Sequence, residues 1–232
     1  MKKIVVLSGA GMSAESGIST FRDANGLWRN HRMEDVASPI AWAQDMDLVL
    51  EFYNIRRKQL FEVEPNAGHQ ALVKLEKYFN TQIVTQNVDD LHERAGSSHV
   101  LHLHGELKKV RSTIDENLVH ELDQWELKRG DLCEKGSQLR PHIVWFGEAV
   151  PALGAAVEIV RQADILIIIG TSLVVYPAAS LMDYAPHGIP IYYIDPQAEQ
   201  LSYNKNVHCM AQKAGDGVPI LIESLIKEFT NS

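Results

Sequence analysis

A glycine-rich turn near the start of the chain is the first segment whose residue types could do chemistry. The apolar run Ile4–Leu7 leads into Gly9-Ala10-Gly11, and Ala14 follows three residues later. A strand followed by this G-x-G-x-x-A spacing is typical of dinucleotide-binding loops, whose glycines let the backbone turn and approach a pyrophosphate at a helix N-terminus. Tight strand-to-helix loops that bind nothing also carry such glycines, so the turn alone leaves both interpretations open.

The residues behind this turn narrow the kind of nucleotide chemistry. A dehydrogenase would continue through a helix into a second strand that ends in an acidic residue. Here the chain instead runs through the polar loop 17–23, which contains Phe21, Arg22 and Asp23. Hydride transfer is therefore disfavoured, while nucleotide binding remains the expectation.

Further polar segments repeat a known pattern in order. The loop 9–23 and the segments 85–92 (TQNVDDLH), 104–106 (HGE), 145–148 (WFGE) and 170–173 (GTSL) together resemble the signatures of the sirtuins, which are NAD-dependent protein deacylases. The resemblance extends from residue 4 to about residue 219 and so covers nearly the whole chain. It implies that NAD is a consumed co-substrate and that the partners are proteins or peptides carrying acyl-lysine.

The resemblance assigns catalysis to His104 and Asn87. In sirtuin-like deacylation the acyl oxygen attacks C1′ of the nicotinamide ribose, and a base then activates a ribose hydroxyl. Histidine suits that base because it is neutral near physiological pH and accepts a proton. His102 lies two residues away, on the same face if the segment is a strand, and the residues 87–90 could also serve only as a helix cap.

The resemblance implies two contact sets. In the cofactor set Asn87 positions ribose and water, Asp89 binds the nicotinamide amide, and Phe21 shields the ribose carbon. Its members are Gly9, Ala10, Gly11, Ala14, Phe21, Arg22, Trp28, Gln86, Asn87, Val88, Asp89, Gly170, Thr171, Ser172, Asp195, Ala214 and Gly215. The peptide would be clamped as an added strand between segments 144–148 and 173–176, with contacts from Val144, Phe146, Gly147, Glu148 and Val174.

Three residues indicate which acyl group is removed. Tyr53 and Arg56 are spaced i, i+3 on one face of a predicted helix over 46–61, and Ala37 matches a small residue that leaves the acyl pocket roomy. This Tyr-x-x-Arg pair resembles the sirtuin subclass that removes succinyl, malonyl and glutaryl groups. An Arg fork holds a distal carboxylate with two charge-assisted hydrogen bonds. Alternatively, Arg56 belongs with Arg57 and Lys58 to a solvated basic face.

The expected metal site departs from the family. Most sirtuins hold a structural zinc with two C-x-x-C pairs, but here Ser112 and Asp115 stand in place of the first pair. Cys133 and Gly136 stand in place of the second. One thiolate is not the four-ligand set of a closed structural site, so we expect no zinc. A set of Asp115, His120 and Cys133 has no recognisable spacing.

Short apolar runs alternate with helical patterns along the chain, which predicts an α/β fold with a doubly wound, Rossmann-like parallel sheet. We expect this NAD-binding domain to comprise residues 1–25, 66–106 and 142–232. The segments 26–65 and 107–141 break the rhythm and predict a small discontinuous second module, helical in its first piece and a degenerate zinc ribbon in its second.

Composition and charge limit the remaining functions. The net charge of −8 argues against a nucleic-acid binder. Two distant cysteines favour a reducing, cytoplasmic compartment, no apolar stretch is long enough to span a membrane, and a monomer is expected. Two alternatives stay open: an NAD hydrolase or ADP-ribosyltransferase, and a non-catalytic NAD-sensing module.

Overall fold

The computed structural model describes residues 1–18, 33–171, 178–198 and 206–230. The strands in these residues are β1 (Lys3–Ser8), β2 (Asn80–Thr85), β3 (Val100–His102), β4 (Gly105–Ser112), β5 (Val119–Glu121), β6 (Leu139–Ile143), β7 (Ile165–Ile169), β8 (Ile191–Ile194) and β9 (Val207–Met210). The α-helices are α1 (Met33–Val36), α2 (Pro39–Gln44), α3 (Met46–Glu62), α4 (Ala67–Leu75), α5 (Leu91–Ala95), α6 (Leu153–Val160) and α7 (Ala214–Thr230).

The main sheet is parallel in all its described pairs and has the strand order β3-β2-β1-β7-β8-β9. Alternate residues of each central strand point to opposite faces. Ile4 and Val6 therefore pack under α4 and α7, whereas Val5 and Leu7 pack under α6. Every residue of β7 is buried, as expected for a strand covered on both faces. The predicted doubly wound α/β fold is confirmed.

The strand order reverses between β1 and β7. Chain order runs outward from β1 through β2 to β3, and then continues on the other side from β7 to β9. Ligands of such sheets bind in the crevice where the order reverses, beyond the carboxyl ends of the strands. The ends of β1, β2 and β7 are the places to look for a site.

A second, antiparallel sheet has the order β5-β4-β6. The sequence analysis described 107–141 as a degenerate zinc ribbon without predicting its strands, and it began a segment of the NAD-binding domain at residue 142. In the structure residue 142 belongs to β6, which pairs with β4. The alternation of β4 is obscured because two half-buried lysines and one half-buried arginine occupy positions between buried Leu107, Val110 and Ser112.

Arg57 joins this sheet to α3. Its side chain is fully buried; Nε donates to the Leu107 carbonyl at 2.7 Å, and Nη1 donates to the Trp125 carbonyl at 2.7 Å. Burial lowers the pKa of this guanidinium to about 10. The alternative of a solvated basic face that includes Arg57 is therefore wrong. None of the helices in the described ranges is long and apolar enough to cross a membrane.

Candidate active site

Two glycine-containing loops lock together at the point where the strand order reverses. The Gly9 N–H donates to the Ile169 carbonyl at 2.9 Å, and the Gly11 N–H donates to the Gly170 carbonyl at 2.8 Å. A Cβ on Gly9 would lie 2.7 Å from Thr171 Cβ, and a Cβ on Gly11 would lie 2.7 Å from Gly170 Cα. The glycines are thus required by the packing of the two loops, a reason that the spacing alone did not reveal.

The backbone after the turn differs from the expected helix N-terminus. Residues Ala10–Met12 and Ala14–Ser16 form two short 3-10 turns instead of an α-helix. Gly17 ends the second turn with φ of +96°, a left-handed conformation that favours glycine. An anion at this loop would be bound by local backbone N–H groups, without the dipole of a long helix.

Ser13 links the glycine-rich loop after β1 to the loop after β2. The Asn87 amide Nδ2 donates to Ser13 Oγ at 3.0 Å, and Ser13 also hydrogen-bonds the Asp89 carboxylate. Burial raises the pKa of Asp89, although the bonds from Ser13 and the Leu91 N–H oppose that shift. Ser13 lay inside the glycine-rich motif, but its role was missed because spacing does not show which hydroxyl faces inward.

Gln86 brings the ends of three strands together. Its Nε2 donates to Thr171 Oγ1 at 3.1 Å, and its backbone N–H donates to the Ser8 carbonyl at 2.9 Å. The same loop is tied to the second sheet, because the Val88 carbonyl accepts from the Leu107 N–H at 2.7 Å. The loop 86–89 is therefore held from both sheets.

His104 is half-buried, and its ring points one nitrogen at this loop. Nδ1 lies 3.1 Å from the Gln86 carbonyl oxygen, which can only accept a hydrogen bond. The neutral ring therefore carries its proton on Nδ1 and leaves a lone pair on Nε2. Burial lowers the pKa of His104, with partial opposition from the Gln86 hydrogen bond, so the ring is unprotonated near pH 7 and Nε2 can accept a proton.

Three further members of the predicted cofactor set lie at the end of β8 and the start of α7. Asp195 is buried directly after β8, where Oδ1 accepts from the Gln197 N–H at 2.9 Å. Ala214 and Gly215 are the first residues of α7, and the Gly215 N–H donates to a Glu15 carboxylate oxygen at 2.6 Å. This hydrogen bond joins the start of α7 to the glycine-rich loop after β1.

Some predicted contacts fall outside the described residues, and no position is assigned to them. They are Phe21, Arg22, Trp28, Ser172 and Val174.

The predicted acyl-pocket residues do lie together. Tyr53 is buried, and its hydroxyl oxygen accepts a hydrogen bond from Trp145 Nε1 at 3.0 Å. Burial raises the pKa of Tyr53 to about 12, so the phenol stays neutral and keeps its own hydrogen to donate. Arg56 is half-buried one turn along α3, and burial lowers its pKa, while the negative charge of Asp89 opposes that shift. Trp145 was missed as a partner because it is distant in sequence.

The segment 144–148 is hydrogen-bonded to residues on both sides of it. The Val144 N–H donates to the His104 carbonyl at 2.9 Å, and the Phe146 N–H donates to the carbonyl of buried Ala37 at 3.0 Å. Phe146 is 47% exposed, which leaves its ring accessible to a substrate. Gly147 turns the chain with φ of +91°.

Glu148 was predicted to contact substrate, but its side chain is engaged within the protein. Its carboxylate pairs with Arg140 at 2.7 Å and with Arg111 at 3.3 Å, and it accepts the Trp145 N–H at 2.8 Å. Arg140 in turn stacks on Trp145, with 3.3 Å from Cζ to the ring centroid. The Glu148 side chain thus joins Arg111, Arg140 and the backbone of Trp145, and its predicted contact with substrate stays a prediction.

The residues at the expected zinc positions converge but bond to one another. Cys133 Sγ donates to Ser112 Oγ at 3.2 Å, and the Asp115 carboxylate pairs with Lys135 at 2.7 Å. The Gly136 N–H closes a turn onto the Cys133 carbonyl at 2.8 Å. A hydroxyl, a salt-bridged carboxylate, one thiol and a glycine do not make a closed zinc site. Hydrogen bonds join these segments, and the absence of zinc remains a prediction.

The fold and the polar cluster at its switch point define a nucleotide-binding α/β protein. A model of the Sir2 family matches residues 9–177. An NAD-dependent protein deacylase of Helicobacter pylori is 58% identical over 98% of this chain and 99% of its own length. The chain therefore belongs to the Sir2 family.

Solved structures agree with this assignment. A Sir2 homolog–NAD complex superimposes with a TM-score of 0.88 at 42% identity, covering 98% of this chain and 91% of that one. A Sir2 variant with a deacetylated p53 peptide and 3′-O-acetyl-ADP-ribose gives 0.80 at 28% identity, covering 97% and 92%. The predicted family, enzyme class and NAD co-substrate are confirmed at this level. The domain boundaries, the residue roles, the monomeric state, the cytoplasmic location and the lack of nucleic-acid binding stay predictions.

Proposed function

We propose that this chain is an NAD-dependent protein-lysine deacylase that removes succinyl and malonyl groups as well as acetyl groups. Its products would be nicotinamide and O-acyl-ADP-ribose. The observation that carries the proposal is that a base and a cationic side chain both interact with the loop 86–89. His104 Nδ1 is held by the Gln86 carbonyl, which leaves the Nε2 lone pair for a proton, and Arg56, one turn from Tyr53 on α3, interacts electrostatically with Asp89.

The loops at the switch point fit NAD. NAD supplies an electrophilic ribose carbon and nicotinamide as leaving group. Close packing at Gly9, Gly11 and Gly170 leaves no room for side chains there, so a pyrophosphate could come close to the backbone of these loops. Asp89, buried beside Asn87, would accept or donate a hydrogen bond with the carboxamide. The domain division given above is part of this proposal.

His104 would act as the general base through Nε2. Its Nδ1–H is anchored on Gln86, which orients the ring, and the lowered pKa keeps the lone pair available. Asn87 would orient the ribose. Its side-chain amide is held in place by Ser13, and its backbone lies next to Gln86 in the same loop. Proton transfer by a positioned base of this kind contributes about 10²–10⁴-fold to a rate.

The acyl pocket favours a carboxylate at its end. The Tyr53 hydroxyl already accepts from Trp145, so its hydrogen is directed elsewhere, and Arg56 supplies a positive charge one turn away. A hydrogen bond from a charged donor is worth about 1.5–3 kcal/mol. Ala37, the small residue assigned to this pocket, does not exclude an acetyl group.

The test compares succinyl-lysine and acetyl-lysine peptides with the wild type and Arg56→Met. The variant should lose about ten- to hundredfold in kcat/KM for the succinyl peptide and little for the acetyl peptide. Lys58→Met is the matched control, because Lys58 lies on the same helix and is exposed. Equal losses with both peptides would show that Arg56 does not read the acyl group.

A further inference from the structure

We propose that His102 is a positioning residue for Asn87, acting as an imidazolium held between the Asn87 carbonyl and the Glu93 carboxylate. This role rests on the function proposed above. If it holds, activity falls at alkaline pH because His102 loses a proton, and not because of a change in the catalytic base.

The geometry requires both ring nitrogens of His102 to donate. Nδ1 lies 2.9 Å from the Asn87 carbonyl oxygen, and Nε2 lies 2.8 Å from Glu93 Oε1. Both partners can only accept, while a neutral imidazole has one N–H. If the His102 ring loses a proton, one of the two hydrogen bonds is therefore broken. The lone pair of that ring nitrogen then faces the acceptor oxygen and is repelled by it.

The position of Asn87 depends on these bonds. Its backbone N–H donates to Thr85 Oγ1 at 3.0 Å, and its amide donates to Ser13 Oγ at 3.0 Å. The carbonyl is the remaining backbone anchor, and His102 binds it. Without this hydrogen bond, the peptide group between Asn87 and Val88 can rotate. This peptide group lies in the loop 86–89, which contains Asn87 and also holds the ring of His104.

Protons reach His102 from a cavity between the two sheets. The cavity has a volume of about 550 Å³, and Glu93, at 39% side-chain exposure, lines it beside the largely buried His102. Charged and titratable groups face His102 from each neighbouring element: Glu93 and His92 on α5, Asp89 in the loop, Glu106, Lys109 and Arg111 on β4, Glu121 on β5, and His142 on β6.

The electrostatics agree with a charged ring. Burial alone would lower the pKa of His102, but the Glu93 hydrogen bond and the charges of Glu93 and Glu106 outweigh it and raise the pKa. The pKa of His104 is shifted in the opposite direction, mainly by burial. Environments that separate the pKa values of two neighbouring groups assign them different roles. Activity should fall as pH drops through the pKa of His104, and again as pH rises through the pKa of His102.

The experiment measures ring protonation and turnover separately. Nitrogen NMR of the wild type, assigned by comparison with His102→Gln, should show both His102 ring nitrogens protonated at about pH 7. In Glu93→Gln the ring should lose its proton at lower pH. In turnover assays the alkaline limb of kcat should move to lower pH in Glu93→Gln. In His102→Gln the limb should be absent, and kcat should be about tenfold lower.

Glu121→Gln serves as control, because it removes a carboxylate from the same cavity without touching His102. Its pH profile should match that of the wild type. A neutral His102 ring at about pH 7 would overturn the proposal, as would an alkaline limb that is the same in the wild type, Glu93→Gln and His102→Gln. The ring measurement needs no turnover, so a failure of the proposed deacylase function would be recognised separately, by a wild type that is inactive at every pH.

Discussion

The hydrogen bond between Trp145 Nε1 and the Tyr53 hydroxyl can be tested by removing each partner in turn. Both side chains are almost completely buried, and the bond measures 3.0 Å. Trp145→Phe leaves the Tyr53 hydroxyl without its donor, and Tyr53→Phe leaves the Trp145 N–H without its acceptor. Each orphaned group costs about 1–3 kcal/mol. For a chain of this size, 1 kcal/mol lowers Tm by about 2–4 °C.

The double variant separates the hydrogen bond from the loss of packing. With both polar groups gone, neither is left unsatisfied, so the double variant should be about 1 kcal/mol more stable than the sum of the single losses. Urea unfolding of the four proteins measures this coupling. Both single variants should also lose acyl selectivity, because Tyr53→Phe removes the hydroxyl and Trp145→Phe removes the donor that orients it.

The same four proteins test the pocket assignment. Tyr53→Phe should lower kcat/KM for a succinyl peptide by about tenfold or more and leave the acetyl peptide nearly unchanged, and Trp145→Phe should follow the same trend more weakly. Strict additivity of the unfolding energies would refute the hydrogen bond. Unchanged selectivity in Tyr53→Phe would refute its use in acyl recognition.

Three further outcomes are expected. His104→Ala should abolish turnover while calorimetry still detects NAD binding; normal turnover in this variant would remove its role as base. Burial lowers the pKa of His69 to about 4 from 6.5. As pH falls the unfolded chain therefore takes up the proton first, and the free energy of unfolding should fall by ~3 kcal/mol between these two pH values. His69→Gln, which keeps a capping side chain at that helix position, should lack this component, and an equally steep loss in the variant would contradict its origin. Metal analysis of the purified protein should find no zinc, and a chelator should leave Tm unchanged; near-stoichiometric zinc would contradict the hydrogen-bonded reading of Ser112 and Cys133.

Local patterns predicted the main sheet well. The unbroken apolar run of β7 and the glycine turn after β1 can each be recognised from a few consecutive residues. Strand burial and tight turns depend on residues that are close in sequence. The second sheet was missed for the converse reason. Its strands pair across long separations in sequence, and its half-exposed β4 mixes charged and apolar positions so that no clean alternation is visible.

The site shows the same division. The side chains of His104, Asn87 and Tyr53 could be named from their motifs, but their partners Gln86, Ser13 and Trp145 follow only from the packing of separate elements. Arg57 illustrates the limit most clearly. It lies between Arg56 and Lys58 in the sequence, which suggests a charge on the surface. The periodicity of the helix instead places its side chain on the inner face, where it donates hydrogen bonds to carbonyls of the second sheet and of a loop of that sheet.

The most direct test of the central claim is nicotinamide release measured with and without an acyl-lysine peptide. With NAD and either a succinyl-lysine or an acetyl-lysine peptide, the wild type should release nicotinamide and deacylated peptide in equal amounts, together with O-acyl-ADP-ribose. Without peptide the release should be small. No nicotinamide with either peptide would contradict the deacylase assignment, and release that does not depend on peptide would indicate an NAD hydrolase instead.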